Sequence, residues 1–261
     1  MKKVIVVGGH EQACNTTNYL IENNLAKVVL IIARKDDEGE DGVFPSLLKV
    51  SRNFDIPSLK PNSLNSNSVI QVVKTMDADL VLSLQNNMLF SSDWIKLFEN
   101  KLGIVNIHYS PLPKYSGYWP EMWAIWNCEE NFGVTMHYVS DGIDTGPIIN
   151  QKFFKIIENE TRFSLYKKSG NACFELIKQN LPKILIKKQK TKIQDKNLRT
   201  YFKKSLPNNG ILDLSWDSEK KSRFIRAISF PGFPGPKIKI GENTYTILQE
   251  DMMFFKSYLL N

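Results

Sequence analysis

The sequence predicts a doubly wound α/β fold with a mostly parallel sheet, followed by a small C-terminal β-hairpin subdomain. Three observations carry this expectation. Short β-branched runs alternate with helical segments as far as Ile107, the runs end at glycines or polar turns, and after Phe132 the rhythm changes to strand, turn, strand and one long helix. In such a sheet ligands bind beyond the carboxyl ends of the strands, so functional residues are expected to follow strands.

Each element has its own signal. Val4 to Gly8 is a buried strand that stops at two glycines, and Glu11 to Asn24 reads as the helix after it. Val28 to Ala33 is a second strand, and the acidic segment Asp36 to Gly42 is an exposed loop without the alternating spacing of a calcium loop. Asn67 to Met76 is helical, Leu80 to Leu84 a strand, Ser91 to Asn100 helical and Gly103 to Ile107 a strand. Val134 to Val139 and Ile148 to Ile157 are strands joined by a turn-rich segment, and Phe163 to Leu185 carries an apolar stripe at helical spacing. A catalytic domain is expected over residues 1–186 and a lysine-rich connector over 187–210. The C-terminal subdomain over 211–261 then holds a helix at Ser218 to Ile228 and a hairpin of Lys237 to Ile240 with Thr244 to Leu248.

Composition narrows the class. At 42% hydrophobic and 23% charged residues the chain is neither disordered nor membrane-spanning in character. The apolar run after Met1-Lys2-Lys3 ends at Gly8, too short for an export signal, and the cytoplasm is the expected location. Cys14, Cys128 and Cys173 are widely spaced and sit among apolar neighbours, so they are read as small buried hydrophobes, with no disulfide framework and no metal site. Residues 152–204 hold 15 Lys or Arg against 4 Asp or Glu. A patch of that kind attracts anionic partners, or is a solvated helix face followed by a connector.

The chemistry-bearing residues cluster in two places. Asn106 and His108 stand two apart at the end of a strand, so their side chains leave one face together. Pro111, Pro113 and Gly117 then fix a rigid loop. Asp144, in Gly142-Ile143-Asp144-Thr145-Gly146-Pro147, adds a carboxylate from a turn between two strands.

Asn-x-His, Leu-Pro-x-Tyr-x-Gly and Gly-x-Asp-x-Gly, in that order, resemble the signature of the folate-dependent formyltransferases, over roughly residues 1–157. Trp123-Ala124-Ile125 and Phe132-Gly133-Val134-Thr135-Met136 look like the same family's intervening segment, whereas Pro111 replaces the usual leucine. The resemblance implies a Rossmann-like formyltransferase fold and N10-formyltetrahydrofolate as co-substrate. It also implies a catalytic trio of Asn106, His108 and Asp144. Asn106 would donate to the oxyanion, and His108 and Asp144 would divide proton transfer and electrostatic support in a way the sequence leaves open. The family's folate pocket falls on Gln85, Asn86, Met88, Leu89 and Phe90, with Asp141 and Ile143 opposite.

The acceptor amine is read from the C-terminal part. The Arg223-Phe224-Ile225-Arg226-Ala227 segment is similar to the start of the extension in methionyl-tRNA formyltransferases, but the residues after it are too few for a tRNA-gripping barrel. The length resembles that of bacterial sugar N-formyltransferases, which act on nucleotide-linked amino sugars such as dTDP-4-amino-4,6-dideoxyglucose or a 3-amino analogue for surface polysaccharide (O-antigen). Tyr115, Trp119, Glu121 and Trp123 are then expected to wall the sugar pocket, with Phe230 or Phe233 stacking on the base. The expected partners are a nucleotide-linked amino sugar and a second copy of the chain, with no nucleic acid and no membrane. Methionyl-tRNA formylation and a non-catalytic folate or nucleotide-sugar binder are the alternatives.

Overall fold

The computed structural model describes residues 1–247, so Leu248, the last residue of the expected hairpin, lies outside the described part. The first half runs β1 (Lys3–Gly8), α1 (His10–Glu22), β2 (Lys27–Ala33), α2 (Leu47–Asn53), β3 (Ser58–Leu59), α3 (Asn67–Met76) and β4 (Leu80–Leu84). It continues with α4 (Ser92–Phe98), β5 (Ile104–His108), β6 (Ser116–Gly117), α5 (Pro120–Trp126), β7 (Asn131–Tyr138), β8 (Ile148–Lys155) and α6 (Arg162–Leu185). The remainder is β9 (Tyr201–Phe202), β10 (Ile211–Leu212), α7 (Ser218–Ile228), β11 (Lys237–Ile240) and β12 (Asn243–Thr246).

Seven strands form one sheet in the order β3-β2-β1-β4-β5-β7-β8. The five from β3 to β5 are parallel to one another, and β7 and β8 are antiparallel additions at one edge. This is the doubly wound, mostly parallel sheet the sequence predicts. Alternation along β1 shows how two faces are covered at once. Val4 and Val6 join a core with α1 and α6, while Ile5 and Val7 join a second core with α3 and α4. At the end of β1 the chain runs so close to β4 that a Cβ on Gly8 would stand 1.7 Å from the Leu84 carbonyl oxygen. Only glycine, here with φ +137°, permits that approach.

Helix boundaries follow local chemistry. Thr161 and Ser164 form a reciprocal capping box that starts α6, and Asp217 accepts from the Lys220 amide to start α7. Asp37, expected in an exposed acidic loop, accepts from the amides of Leu47 and Leu48 and thereby starts α2, which the sequence pattern does not reveal. The helix α5 likewise has no counterpart among the elements expected from the sequence. Pro120 occupies the first helical turn, where its missing N–H costs nothing.

The lysine-rich connector is not a free strap. Lys192 pairs with Ile148 through two backbone hydrogen bonds of 2.8 Å, and β9 lies parallel to β6. Backbone pairing of this kind leaves no mark in side-chain composition. The hairpin of β11 and β12 forms as expected and gains β10 as a third strand. Its core is shared with the main sheet, since Phe224, Ile238 and Ile247 pack with Met122 of α5 and Phe132 of β7. Cys14 and Cys173 are buried, but Cys128 is exposed, which corrects the reading of all three as buried: it sits just past α5 in a left-handed turn with φ +57°.

Candidate active site

Beyond the carboxyl ends of β1, β4 and β5 lies a cavity of about 550 Å³. Asn106, His108 and Asp144 all line it. Parallel pairing sets Asn106 beside Ser83 of β4, and antiparallel pairing sets it opposite His137 of β7. These neighbours fix its amide. The Ser83 hydroxyl donates to Asn106 Oδ1 at 2.8 Å, and Asn106 Nδ2 donates to His137 Nε2 at 3.0 Å. His137 in turn donates from Nδ1 to its neighbour's carbonyl at Tyr138, 2.8 Å away. Burial lowers the His137 pKa, more than the Asp144 carboxylate raises it, so the ring stays neutral and Nε2 is an acceptor. Asn106 therefore spends one Nδ2 hydrogen on His137 and retains the other.

His108 is held differently. Its Nε2 lies 2.9 Å from the Tyr115 carbonyl, which can only accept, so Nε2 carries the hydrogen. Asp144 Oδ2 stands 3.7 Å from the same nitrogen and Asp144 Oδ1 3.8 Å from His137 Nε2, so the carboxylate faces two rings at ion-pair range. Its own partner is the Gly117 amide, which donates to Oδ2 at 2.9 Å. Gly117 has φ +95°, and a Cβ there would meet the Phe202 carbonyl oxygen at 2.3 Å. Asp144 itself adopts φ +55°, and Gln194 from the connector donates to the carbonyls of Asp144 and Gly146 at 2.9 and 2.7 Å.

The cavity is lined by two chemically distinct groups of residues. One group is Gln85, Asn86, Met88, Leu89 and Phe90, with Asp141 and Ile143 also lining the cavity. That loop is tied on several sides. Arg34 donates to the Gln85 carbonyl, Asn86 brackets Met88 with two hydrogen bonds, and Asn65 donates to the Leu89 carbonyl. Backbone polar edges with apolar Leu89 and Ile143 left exposed suit a flat heterocycle carrying amide-like donors and acceptors.

The other group is Trp119, Glu121, Arg162, Phe230 and Phe233. Two residues expected there point elsewhere. Tyr115 and Trp123 stack on either side of Phe202, at 5.2 and 4.7 Å between centroids, and so lock β9 in place. The Tyr115 hydroxyl donates to Glu129 at 2.6 Å. Phe230 does line the cavity, but it is 7% exposed, with Phe44, Tyr166 and Phe233 against it and Arg162 over its ring, so it offers no open face for a base. Phe233, 47% exposed, retains one.

His10, His137 and Arg162 are absent from the sequence-based site. His137 directly follows the family-like Phe132 to Met136 segment, and that adjacency is its one signal. His10 stacks on Phe44 at 3.9 Å and bonds through Nδ1 to the Tyr166 hydroxyl, and burial lowers its pKa to about 4. Among the described residues no cluster of His, Cys, Asp and Glu is arranged to hold a metal ion, and no helix is long and apolar enough to cross a membrane.

A family model described as formyl transferase matches residues 2–181. The bifunctional polymyxin resistance protein ArnA of Wigglesworthia glossinidia brevipalpis is 34% identical over 238 residues, which cover 89% of this chain and 35% of ArnA. The chain thus spans about a third of the length of that relative. Among solved structures, WlaRD, a sugar 3N-formyl transferase crystallised in the presence of dTDP and 5-N-formyl-THF, superposes with a TM-score of 0.74 at 25% identity. That match covers 93% of this chain and 84% of WlaRD. An N-formyltransferase from Helicobacter canadensis, in complex with folinic acid and dTDP-3-aminofucose, gives a TM-score of 0.75 at 26% identity, covering 93% of this chain and 85% of that one.

Proposed function

The chain belongs to the formyl transferase family, and on that premise we propose that it moves a formyl group from N10-formyltetrahydrofolate to the amine of a nucleotide-linked amino sugar. The observation that carries this reading is that Asn106, His108 and Asp144 line one cavity together with a polar-edged loop at Gln85 to Phe90 and an aromatic, charged group of Trp119, Glu121, Arg162 and Phe233. The group at Gln85 to Phe90 and Asp141 to Ile143 takes the folate ring. The group of Trp119, Glu121 and Phe233 takes the acceptor. Two similar structures hold a formylated folate together with dTDP or a dTDP-amino sugar, which supports the same division here.

In the reaction the amine nitrogen bonds to the formyl carbon and the carbonyl oxygen acquires negative charge. The remaining Nδ2 hydrogen of Asn106 is the donor for that oxygen, and the Ser83 and His137 bonds fix its direction. Neutral His108, with its hydrogen on Nε2, accepts the amine proton at Nδ1. Asp144, at 3.7 Å, stabilises the imidazolium so formed. His108 then returns a proton to N10 as the carbon–nitrogen bond to the folate breaks. The acceptor in this reading is a dTDP-linked 4-amino or 3-amino 6-deoxysugar, and the product serves a surface polysaccharide.

The test is a formyl-transfer panel of dTDP-4-amino-4,6-dideoxyglucose, a dTDP-3-amino-6-deoxysugar, methionyl-tRNA and glycinamide ribonucleotide. Turnover with a dTDP-amino sugar and none with methionyl-tRNA is expected. Efficient formylation of methionyl-tRNA overturns the sugar acceptor and leaves formyl transfer standing.

A further inference from the structure

Glu121 and Arg162 line the cavity with opposite charges, and the proton transfers above involve neither. Glu121, in the first turn of α5, is 6% exposed, and its carboxylate accepts no hydrogen bond from another described residue. Arg162, the first residue of α6, is 4% exposed, and its Nε is buried without a partner. The guanidinium is held by rings instead, with its Cζ 4.6 Å from the centroid of Phe230, 5.2 Å from Trp119 and 5.5 Å from Phe233.

A carboxylate withdrawn from water is unfavourable unless a charge or donors support it. Glu121 has the charge and, for a donor, only its own backbone amide. Burial favours its neutral form, and the positive field of Arg162, then that amide bond and the field of His108, oppose it. Because the aromatic cage fixes Arg162 without an ion pair to Glu121 among the described residues, the carboxylate oxygens are left to a ligand. A ligand that fits brings a cationic N–H donor into a site within electrostatic range of His108. An alkyl amine in its protonated form, the state it holds near neutral pH, is such a group.

We propose that Glu121 docks the acceptor sugar through its ammonium group, takes up one ammonium proton to leave the free amine that attacks, and so selects an amine over a hydroxyl at the reacting carbon, with Arg162 as the positioning residue whose charge faces Glu121. This inference rests on the acceptor assigned above. The other donor a sugar can bring, a hydroxyl, gives a different outcome in the test.

The acceptor is whichever of the dTDP-4-amino and dTDP-3-amino 6-deoxysugars is turned over, and the comparison ligand is its counterpart with a hydroxyl in place of the amine. Calorimetry in the presence of 5-formyltetrahydrofolate measures both on the full chain and on E121Q. The native chain should bind the amine at least about 10-fold more tightly than the hydroxyl, the range of a charge-assisted hydrogen bond. E121Q should remove that preference by weakening the amine alone, and Arg162→Met should reduce it in the same direction. Equal affinity of the native chain for the two ligands overturns the inference, as does equal weakening of both in E121Q. Folding of E121Q is checked by its 5-formyltetrahydrofolate affinity, and if that is lost the native ratio alone decides. A native chain that formylates no nucleotide-linked amino sugar overturns the acceptor assignment itself, and the docking role with it. Turnover without an amine preference overturns the docking role only.

Discussion

The Nε2–H of His108 donates to the backbone carbonyl of Tyr115 at 2.9 Å, while Asp144 stands 3.7 Å from the same nitrogen. The tautomer of the imidazole is thus set by a main-chain group, which leaves Nδ1 as the nitrogen without a hydrogen. His108→Ala should lower turnover about 100-fold to 10,000-fold, the range for a lost general acid–base group. Affinity for either substrate should change far less, as calorimetry beside steady-state kinetics would reveal. Near-normal turnover would mean that His108 is only a strand-end residue.

The same relationship makes Tyr115→Phe informative. The carbonyl that orients His108 is kept, and only the hydroxyl's bond to Glu129 and the one it accepts from Asn127 are lost. Thermal stability should fall by the equivalent of about 1 to 3 kcal/mol, with kcat and the sugar KM unchanged. A raised sugar KM would return Tyr115 to the sugar pocket.

Asn106→Ala should cost about 100-fold to 1000-fold in kcat, as for other oxyanion donors. Because His137 fixes the amide that Asn106 presents, His137→Ala should lower kcat in the same direction by a smaller factor. The double variant should be scarcely worse than Asn106→Ala, since the two act as a unit. Additive losses in kcat across that cycle would separate them.

Gln194 ties the turn that carries Asp144 through two carbonyls. Gln194→Ala should leave both carbonyls short of a donor, lower the unfolding temperature and reduce kcat, with folate binding retained. Full activity together with a lowered unfolding temperature would confine the connector to stability.

His10 predicts a pH dependence of stability. Its folded pKa is lowered from 6.5 to about 4, first by burial and then by Arg34. Between those values the unfolded chain binds more protons than the folded one, so stability rises with pH through this window. The contribution is fully present above pH 6.5, and about 3 kcal/mol is lost by pH 4. Denaturant unfolding at pH 7, 5.5 and 4 should show that slope, and His10→Asn should flatten it. An unchanged slope in the variant would assign the effect to other groups.

The sequence by itself determined the alternation of strand and helix, because burial on both faces of β1, β2 and β4 demands unbroken apolar runs and amphipathic helices between them. It also marked Asn106 and His108, two apart at a strand end, and Asp144, in a turn between strands, as candidates, because the three motifs that hold them resemble the formyltransferase signature. Tertiary structure alone decided what surrounds them. His137 meets Asn106 only because β7 pairs antiparallel with β5 in one register. Arg162 meets Trp119, Phe230 and Phe233 only because helix starts and a C-terminal turn, distant in the chain, converge on one cavity. Tyr115 and Trp123 read as pocket walls by composition, yet they clamp Phe202, because an aromatic ring records how much surface it must bury but not against which neighbour.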